Sequence, residues 1–302
     1  MNSESSYMAE DRLGFIGLGT MGMPMSLNIL DAGKALTVWG RNRENLQDAL
    51  DAGATWAQSP KAMAEACDVI FLCVFDTAAV EEVVFGSGGI AEGAGSNTLV
   101  VDHSSIHPDG TRDIAARLLE KTGAHWIDCP VSGGRYGARD GTLVMMAGGD
   151  KPDVERIRPH VEPTSQRLTH MGPVGCGQAT KLVNQAVIGA EVAVLSEMFG
   201  FANKYGVDVK QIPDALAGGW ADSTVLQDHA RRMIRAEYWS TAPGNTVKDL
   251  NTVCEMGKKT SSPMPMAALT TELYRFLDAQ GHAEKGQIGL MYLYVQENLE
   301  EK

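Results

Sequence analysis

A glycine-rich hexapeptide near the start of the chain has the pattern G-x-G-x-x-G, at residues 17–22, between a short apolar run and a helical pattern. In that setting backbone N–H groups can face a pyrophosphate, and the helix dipole favours its charge. Gly17 would make the tight turn, Gly19 would admit the phosphate and Gly22 would let the helix pack closely. The position of the pattern predicts a dinucleotide site. Its residues would be Gly17, Leu18, Gly19, Thr20, Met21 and Gly22.

The end of the second predicted strand indicates which dinucleotide binds. An acidic residue there would bind the ribose of NAD, whereas a basic residue would accommodate the 2′-phosphate of NADP. The sequence has Arg41, Asn42 and Arg43, with no acid before Glu44. We therefore expect NADP rather than NAD, with Arg41 as the phosphate ligand and Asn42 as an auxiliary donor. The alternative is a pair of solvated arginines at the start of a surface helix.

Two further segments offer polar groups suited to an anionic substrate. Ser132, Gly133 and Gly134 follow a predicted strand, and their successive backbone amides can hold an anion. Lys181 and Asn184 lie three residues apart, and thus on one face, at the start of a long apolar helix. A lysine in such a helix is costly unless it is partnered or functional, although it can also extend to a domain edge. Hydride transfer to a carbonyl needs a group that handles a proton, so we predict this role for Lys181.

Length and composition limit the possible partners. The chain has 302 residues, enough for about two domains. Its 44% hydrophobic and 21% charged residues are typical of a globular protein. The net charge of −12 argues against nucleic acid, which needs clustered basic residues. An anionic partner therefore needs a locally positive pocket.

The cysteine pattern favours a reducing compartment. The five cysteines form no C-x-x-C pair, so we expect no disulfide framework and no metal site. The longest nearly apolar run, residues 68–76, is far short of the ~20 residues that span a bilayer. Residues 1–12 are polar and lack the apolar stretch of a secretory signal. We expect a disordered tail over 1–12, no membrane segment and a cytoplasmic location.

The order of the predicted elements indicates two domains. Up to about residue 174, short apolar runs alternate with glycine- or proline-rich turns and helical stretches, which is typical of βαβ units. Residues 178–205 form one long helical pattern that is apolar on nearly every face, so we expect a buried central helix. Helical patterns continue to the C-terminus. The prediction is an α/β fold, with a doubly wound Rossmann domain over 13–174 and an all-helical domain over 175–302.

Four ordered motifs carry a resemblance to a known family. They are GFIGLGTMGMPM, DCPVSGG followed by GTL, GQATKLVN, and VKDL. With this order and spacing the chain resembles the β-hydroxyacid dehydrogenase family, which contains 3-hydroxyisobutyrate dehydrogenase and tartronate semialdehyde reductase (2-hydroxy-3-oxopropionate reductase). The resemblance implies a Rossmann domain and a helical domain joined by one long helix, and a homodimer or homotetramer.

The resemblance also implies roles for individual residues. Lys181 would be the catalytic lysine, Asn184 would orient the substrate, and Ser132, Gly133 and Gly134 would hold its carboxylate. The expected cofactor contacts are Val74, Phe75, Ser105 and Lys248. The other expected substrate contacts are Gln185 and Asp249, with Trp220 and Ser223 as weaker candidates in a loop that caps the site in relatives. Gln185 stands where many members have asparagine, and Arg135 and Tyr136 are bulkier than the residues often found after Ser-Gly-Gly.

The resulting expectation is an NAD(P)-dependent oxidoreductase that interconverts a short β-hydroxyacid and its semialdehyde. Tartronate semialdehyde reduction and 3-hydroxyisobutyrate oxidation are the leading reactions. Two alternatives stay open: a sulfonate or sugar-acid dehydrogenase on the same fold, and an inactive dinucleotide-binding interaction module. The expected partner is a small anionic substrate.

Overall fold

The computed structural model describes residues 11–238, 245–296 and 299. The chain divides into two compact units, Met1–Lys181 and Leu182–Lys302. The division between the two compact units follows residue 181, inside the long helix. The first turns of the long helix group with the first unit because Gln178 is hydrogen-bonded to Ser104 and Asp128.

The first unit is an alternation of strands and helices. Its strands are β1 (Leu13–Ile16), β2 (Leu36–Trp39), β3 (Thr55–Trp56), β4 (Val69–Leu72), β5 (Leu99–Asp102), β6 (His125–Asp128), β7 (Val131–Ser132), β8 (Leu143–Gly148) and β9 (Ser165–Gly172). Its helices are α1 (Gly22–Asp31), α2 (Gln47–Asp51), α3 (Pro60–Ala66), α4 (Thr77–Phe85), α5 (Pro108–Thr122), α6 (Gly134–Arg139) and α7 (Lys151–Val161).

The strands form one sheet, which confirms the predicted doubly wound architecture. Its first six strands lie in the order β3-β2-β1-β4-β5-β6 and are all parallel, which is the Rossmann order. β8 pairs antiparallel with β6 and β7, and β9 pairs parallel with β8.

Alternating side chains of the central strands fill two cores, one on each face of the sheet. Phe15 and Phe71 belong to one core, whereas Ile16 and Ile70 belong to the other. All four are fully buried, and every residue of β1, β4 and β5 is buried. Parallel strands that helices cover on both faces appear in the sequence as continuous apolar runs, so the central strands could be predicted.

The second unit is helical, as predicted. The long helix α8 (Cys176–Tyr205) begins in the first unit and continues into the second, where it is followed by α9 (Ile212–Leu216), α10 (Arg231–Ile234), α11 (Asn245–Lys259) and α12 (Pro265–Ala279). Val192, Phe199, Leu250, Tyr274 and Leu277 are among the residues of its core.

Three details of the predicted elements were wrong. The two-residue strands β3 and β7 and the glycine-containing helix α6 were missed, because so few residues carry no periodic signal. The helix predicted over 286–298 is instead a run of 3₁₀ turns at Gln287–Leu293, and residues 297 and 298 lie outside the described residues.

The predicted disordered tail lies outside the described residues over 1–10. Its last two positions are held in place. Asp11 pairs with Arg156 at 2.7 Å and with His160 at 2.9 Å. Arg12 pairs with Asp68 at 2.9 Å.

The prediction that α8 is buried on every face was wrong for one face. Val192 and Phe199 lie in the core. A set of large apolar side chains at a spacing of three, four or seven residues is nevertheless 46–78% exposed: Val183, Val187, Val194, Met198, Phe201 and Tyr205. At 100° per residue these six positions fall within about 60° of the helix circumference. We call this surface the α8 stripe.

Within the described residues, α8 is also long and apolar enough to cross a membrane when judged by length and composition. The expectation of no membrane segment rested on unbroken apolar runs and overlooked this helix. The same criteria are met by core helices of proteins that never enter a bilayer, so they are weak grounds for a membrane span.

A buried carboxyl group ends β5. Asp102 is fully buried, its Oδ1 accepts a hydrogen bond from the Ser104 N–H at 2.9 Å, and its Oδ2 has no partner among the described residues. Burial raises the pKa of Asp102 from 3.8 to about 7, and the charge of Asp128 adds to this shift. The neutral form of this acid is therefore favoured in the fold.

We expect Asp102→Asn to flatten the dependence of stability on pH. The folded chain keeps the Asp102 proton up to about pH 7, whereas the unfolded chain loses it above about pH 4. The contribution of Asp102 to the wild-type free energy of unfolding should therefore fall as pH rises between these values, by up to about 1.4 kcal/mol per pH unit. Urea unfolding at about pH 5 and pH 8 measures this slope.

The exposed carboxylate variant Asp31→Asn is the matched control and should keep the wild-type slope. An Asp102→Asn protein whose slope equals that of the wild type would contradict the assignment of this proton.

Candidate active site

The carboxyl ends of the central strands meet at one edge of the sheet. Ile16 of β1 pairs with Leu72 of β4, Leu72 pairs with Asp102 of β5, and Asp102 pairs with Asp128 of β6. The loops that follow these four residues carry most of the cofactor and substrate residues predicted for the first unit. In open α/β sheets ligands bind at this edge, where the strand order reverses between β1 and β4.

The glycine hexapeptide has the geometry that a dinucleotide needs. Gly17 has a φ of +94°, and a Cβ there would lie 2.3 Å from the Cys73 carbonyl oxygen. A Cβ at Gly22 would lie 2.1 Å from the Gly17 oxygen, so α1 can approach the turn only without a side chain. Gly19 is exposed, and a Cβ there would meet nothing within 4 Å.

The helix that follows is suited to an anion. The N-cap residue of α1, Met21, makes no capping hydrogen bond with its side chain, and the first turn contains no acidic residue. The dipole at this helix N-terminus is therefore not offset by local negative charge. Leu18 is buried beside the turn, and Thr20 is exposed. The residues present fit a pyrophosphate at this position.

The end of β2 presents the predicted basic residues. Arg41, Asn42 and Arg43 are all exposed. The Asn42 side chain accepts a hydrogen bond from the Glu44 N–H at 3.0 Å and so caps the next turn. The guanidinium of Arg43 lies 4.6 Å from the ring centroid of Trp56 on β3, a cation–π contact that orients the arginine.

Val74, Phe75 and Ser105 lie in the two adjacent loops. The Val74 N–H donates to the Ser104 hydroxyl at 2.9 Å, which joins the loops after β4 and β5. The Phe75 side chain is 61% exposed, an unusual position for a phenylalanine. Ser105 is half-buried next to Ser104. The three predicted cofactor contacts therefore share one edge of the sheet.

Lys181 is placed by the start of α8. The carboxylate of Asp128, at the end of β6, accepts hydrogen bonds from the N–H groups of Gly175 and Gln178, both at 2.7 Å. Burial raises the pKa of Asp128 to about 6, although the two backbone donors favour the charged form. Lys181 follows Gln178 by three residues and is half-buried.

The predicted anion-binding segment follows β6 directly. Ser132 ends β7, and Gly133 and Gly134 are exposed at the start of α6. Next to them, Arg135 donates a hydrogen bond to the Tyr136 hydroxyl at 3.3 Å. The guanidinium groups of Arg135 and Arg139 lie 5.1 and 5.3 Å from the Tyr136 ring centroid. Arg139 is also paired with Asp140 at 2.6 Å, which offsets its charge, so Arg135 is the cation that supports an anion beside these amides.

The second unit brings four predicted residues into one hydrogen-bonded chain. The Asn184 Nδ2 donates to the Gln185 Oε1 at 2.9 Å, and the Gln185 Nε2 donates to the Asp249 Oδ2 at 2.8 Å. The ammonium of Lys248 lies 3.8 Å from the other Asp249 oxygen. Gln185 thus uses both ends of its amide to connect α8 with α11.

Trp220 and Ser223 belong to a different part of this unit. The Trp220 side chain is fully exposed, in a loop closed by a hydrogen bond from the Gly218 N–H to Asp222 at 2.7 Å. The Ser223 hydroxyl donates to Glu191 and accepts from the Leu226 N–H at 2.9 Å. Ser223 therefore caps a helical turn, a local role that the sequence analysis did not consider.

Sequence reasoning missed the residues that hold the predicted ones. Asp102, Ser104, Asp128 and Gln178 form hydrogen bonds beneath the loops. A signal existed for the two acids, since each lies at the end of a largely apolar predicted strand, an unusual place for a carboxyl group. Gln178 lies inside the GQATKLVN motif but was given no role.

One group of potential metal ligands occurs in the described residues. Ligand atoms of His125, Asp150 and Asp153 lie within 4.8 Å of one another. His125 begins β6, so the group lies at the opposite end of this strand from Asp128. His125 and Asp153 already share a hydrogen bond of 2.6 Å, and the group forms no part of the candidate active site.

Comparison with known proteins agrees with this geometry. Residues 12–172 match the model described as the NAD binding domain of 6-phosphogluconate dehydrogenase. Residues 175–294 match the model described as NAD-binding of NADP-dependent 3-hydroxyisobutyrate dehydrogenase.

Three similar proteins illustrate the relationship. The 2-hydroxy-3-oxopropionate reductase of Escherichia coli (strain K12) is 38% identical, over 90% of this chain and 93% of that protein. The structure of Mycobacterium tuberculosis 3-hydroxyisobutyrate dehydrogenase with L-serine is 26% identical, with a TM-score of 0.83 over 94% of this chain and 98% of that one. Psf3 in complex with NADP⁺ and 2-OPP is 25% identical, with a TM-score of 0.82 over 94% and 100%.

The two matched models span nearly the whole chain, and a relative at 38% identity matches over almost its full length. The expected oxidoreductase class and the nicotinamide dinucleotide cofactor are confirmed. The chain belongs to the β-hydroxyacid dehydrogenase family and is an NAD(P)-dependent oxidoreductase of the 3-hydroxyisobutyrate dehydrogenase and tartronate semialdehyde reductase type.

Proposed function

We propose that this protein reduces tartronate semialdehyde (2-hydroxy-3-oxopropionate), or a closely related short semialdehyde acid, with NADPH in the cytoplasm. The observation that carries the proposal is the placement of Lys181. It lies one turn beyond the point where α8 is bonded to the carboxyl ends of β5 and β6, through Gln178. The substrate name is that of the Escherichia coli relative at 38% identity.

The chemistry assigned to the chain is proton transfer and orientation. When bound, the nicotinamide supplies or accepts hydride. The Lys181 ammonium donates a proton to the oxygen of the substrate carbonyl as negative charge develops there. In the reverse direction the neutral amine accepts that proton. Reduction therefore uses the ammonium form of this lysine, and oxidation uses its neutral amine form.

The remaining site residues act on the position of the substrate. The amides of Ser132, Gly133 and Gly134 bind its carboxylate, and the charge of nearby Arg135 supports an anion there. Asn184 adds a directed hydrogen bond, while Gln185 and Asp249 hold its side chain in place. Holding the carbonyl near the attack geometry accelerates the reaction without further chemistry.

The charge at the end of β2 supports NADP over NAD. A 2′-phosphate carries negative charge that Arg41 and Arg43 can neutralise, and the stacking of Arg43 on Trp56 reduces the entropy lost on binding. No carboxylate precedes Glu44 to bind the free ribose of NAD.

We expect Lys181→Ala to lower kcat by about 10²–10⁴ while the Kd of NADPH stays within about threefold, because the variant removes a proton donor and leaves the nucleotide contacts intact. Oxidation of NADPH with tartronate semialdehyde measures kcat, and fluorescence titration measures Kd. Lys204→Ala, an exposed lysine later in the same helix, is the control and should behave as wild type. Turnover by Lys181→Ala within about tenfold of wild type would contradict the role.

We expect Arg41→Ser to reduce the preference for NADPH over NADH, expressed as a ratio of kcat/KM values, by about 10- to 100-fold. The loss follows from removing a charge-assisted hydrogen bond to the phosphate, which NADH does not have. The exposed residue Arg167, on β9, supplies the control variant Arg167→Ser, which should keep the wild-type ratio. A wild-type enzyme that prefers NADH would refute the cofactor assignment.

We also propose that the chain forms a homodimer or homotetramer through the α8 stripe. Six large apolar side chains form one exposed stripe along roughly 33 Å of a single helix face, and contiguous exposed apolar surfaces are typical of interaction sites. The opposite face of the helix lies in the core of its unit, so the stripe is one-sided, which favours a second protein surface over surrounding lipid. A second copy of this chain offers an equally long apolar stripe.

The double variant Val194→Glu, Phe201→Glu should shift the protein to a smaller species in light scattering coupled to size exclusion, because it places charges in the proposed interface. Leu119→Glu changes a 52% exposed leucine outside the stripe and should leave the size unchanged. A wild-type monomer, or an unshifted double variant, would exclude the proposed interface.

A further inference from the structure

The side chain of Gln178 connects α8 with the loop after β5. Gln178 is only 1% exposed. Its Nε2 donates to the Ser104 carbonyl oxygen at 2.7 Å, and its Oε1 accepts from the Ile106 N–H at 3.2 Å. The amide therefore holds both sides of Ser105, the residue expected at the nicotinamide ribose.

The backbone of the same residue is held from the other side. The Gln178 N–H donates to Asp128 at 2.7 Å, and the second Asp128 oxygen accepts from the Gly175 N–H. Between them, a Cβ on Gly177 would lie 2.4 Å from both the Asp128 and the Met146 carbonyl oxygens. The first turn of α8 is thus in direct backbone contact with β6 and β8 and cannot slide along them.

The contacts of the Gln178 turn determine the position of Lys181. Residues three apart in a helix lie on the same side, one turn apart, so the rotation and height of the Gln178 turn set those of Lys181. The Ser104–Ile106 segment is bound to that same turn.

We propose that Gln178 is a positioning residue for the reaction, which fixes Lys181 and the Ser105 loop relative to each other so that the proton donor and the ribose contact move as one body. The inference rests on the proposed role of Lys181 as the acid.

The chemistry of the contact explains why an amide is needed. The Ser104 carbonyl requires a donor and the Ile106 N–H requires an acceptor, and glutamine offers both at once. An ionised glutamate offers two acceptors and would face the Ser104 carbonyl with a negative charge. A protonated glutamate has one O–H donor and one acceptor and restores both bonds. Methionine has a similar length and makes neither bond.

Two variants therefore separate the hydrogen bonds from the shape of the side chain. We expect Gln178→Met to lower kcat with tartronate semialdehyde by about 100-fold while the Kd of NADPH stays within about threefold. Gln178→Glu should be equally impaired at about pH 8, and its kcat relative to wild type should rise at least about tenfold by about pH 5.5 as the carboxylate is protonated. The control Gln166→Glu, at an exposed position on β9, should keep a constant ratio to wild type.

Amide hydrogen exchange gives a reading that does not depend on activity. In Gln178→Met, exchange should rise together in residues 104–106 and 178–181, by at least about tenfold, while β1 stays as protected as in wild type. A rise in only one of the two segments, or in neither, would overturn the inference. A rise throughout β1 as well would show general destabilisation and would also count against it.

Comparison with Lys181→Ala separates the two proposals. If Lys181→Ala is inactive while Gln178→Met turns over within about twofold of wild type, the positioning role of Gln178 is overturned and the proposed function stands. If Lys181→Ala keeps its turnover, the proposed function fails and the inference fails with it.

Discussion

The interaction on which the site depends is the pair of hydrogen bonds from the Gly175 and Gln178 N–H groups to the Asp128 carboxylate. It joins the last residue of β6 to the first turn of α8, and so places the helix that carries Lys181 at the carboxyl edge of the sheet. A carboxylate is suited to this task because it accepts two backbone donors at once and complements the positive end of the helix dipole. Without it, the first N–H groups of a 30-residue helix would have to find other partners in a buried region.

Holding the helix in this way has an electrostatic cost. Asp102 and Asp128 end neighbouring strands, are paired in the sheet register and are both buried. Burial raises the pKa of Asp102 to about 7 and that of Asp128 to about 6, and the charge of Asp128 adds to the shift of Asp102. The strands behind them are apolar, so the two buried acids are confined to the edge where we propose that the cofactor and substrate bind. The two buried acids lower the stability of the fold, but their carboxyl groups accept the backbone hydrogen bonds that hold two loops and one helix in place.

The sequence predicted those features whose signal is local. The glycine hexapeptide, the apolar parallel strands and the Lys181–Asn184 spacing are each contained in a short segment, and each was found. Gln178 and Ser104 are 74 residues apart, and Gln178 and Asp128 are 50 apart, so no local pattern relates them. The exposed face of α8 was missed for another reason, since a helix that is apolar all round does not reveal which of its faces the same chain covers.

Two kinds of interaction hold α8 in place. In the first turns the helix is held by directional hydrogen bonds to Asp128 and Ser104, which set both its height and its rotation. Further along, Val192 and Phe199 hold it by apolar packing, which is less directional and tolerates changes of shape. Proton transfer requires donor and acceptor within hydrogen-bond reach, a tolerance of a few tenths of an ångström. The proposed role of Lys181 therefore requires the lysine to lie next to the hydrogen-bonded turn, whereas the packed remainder of the helix tolerates changes of shape.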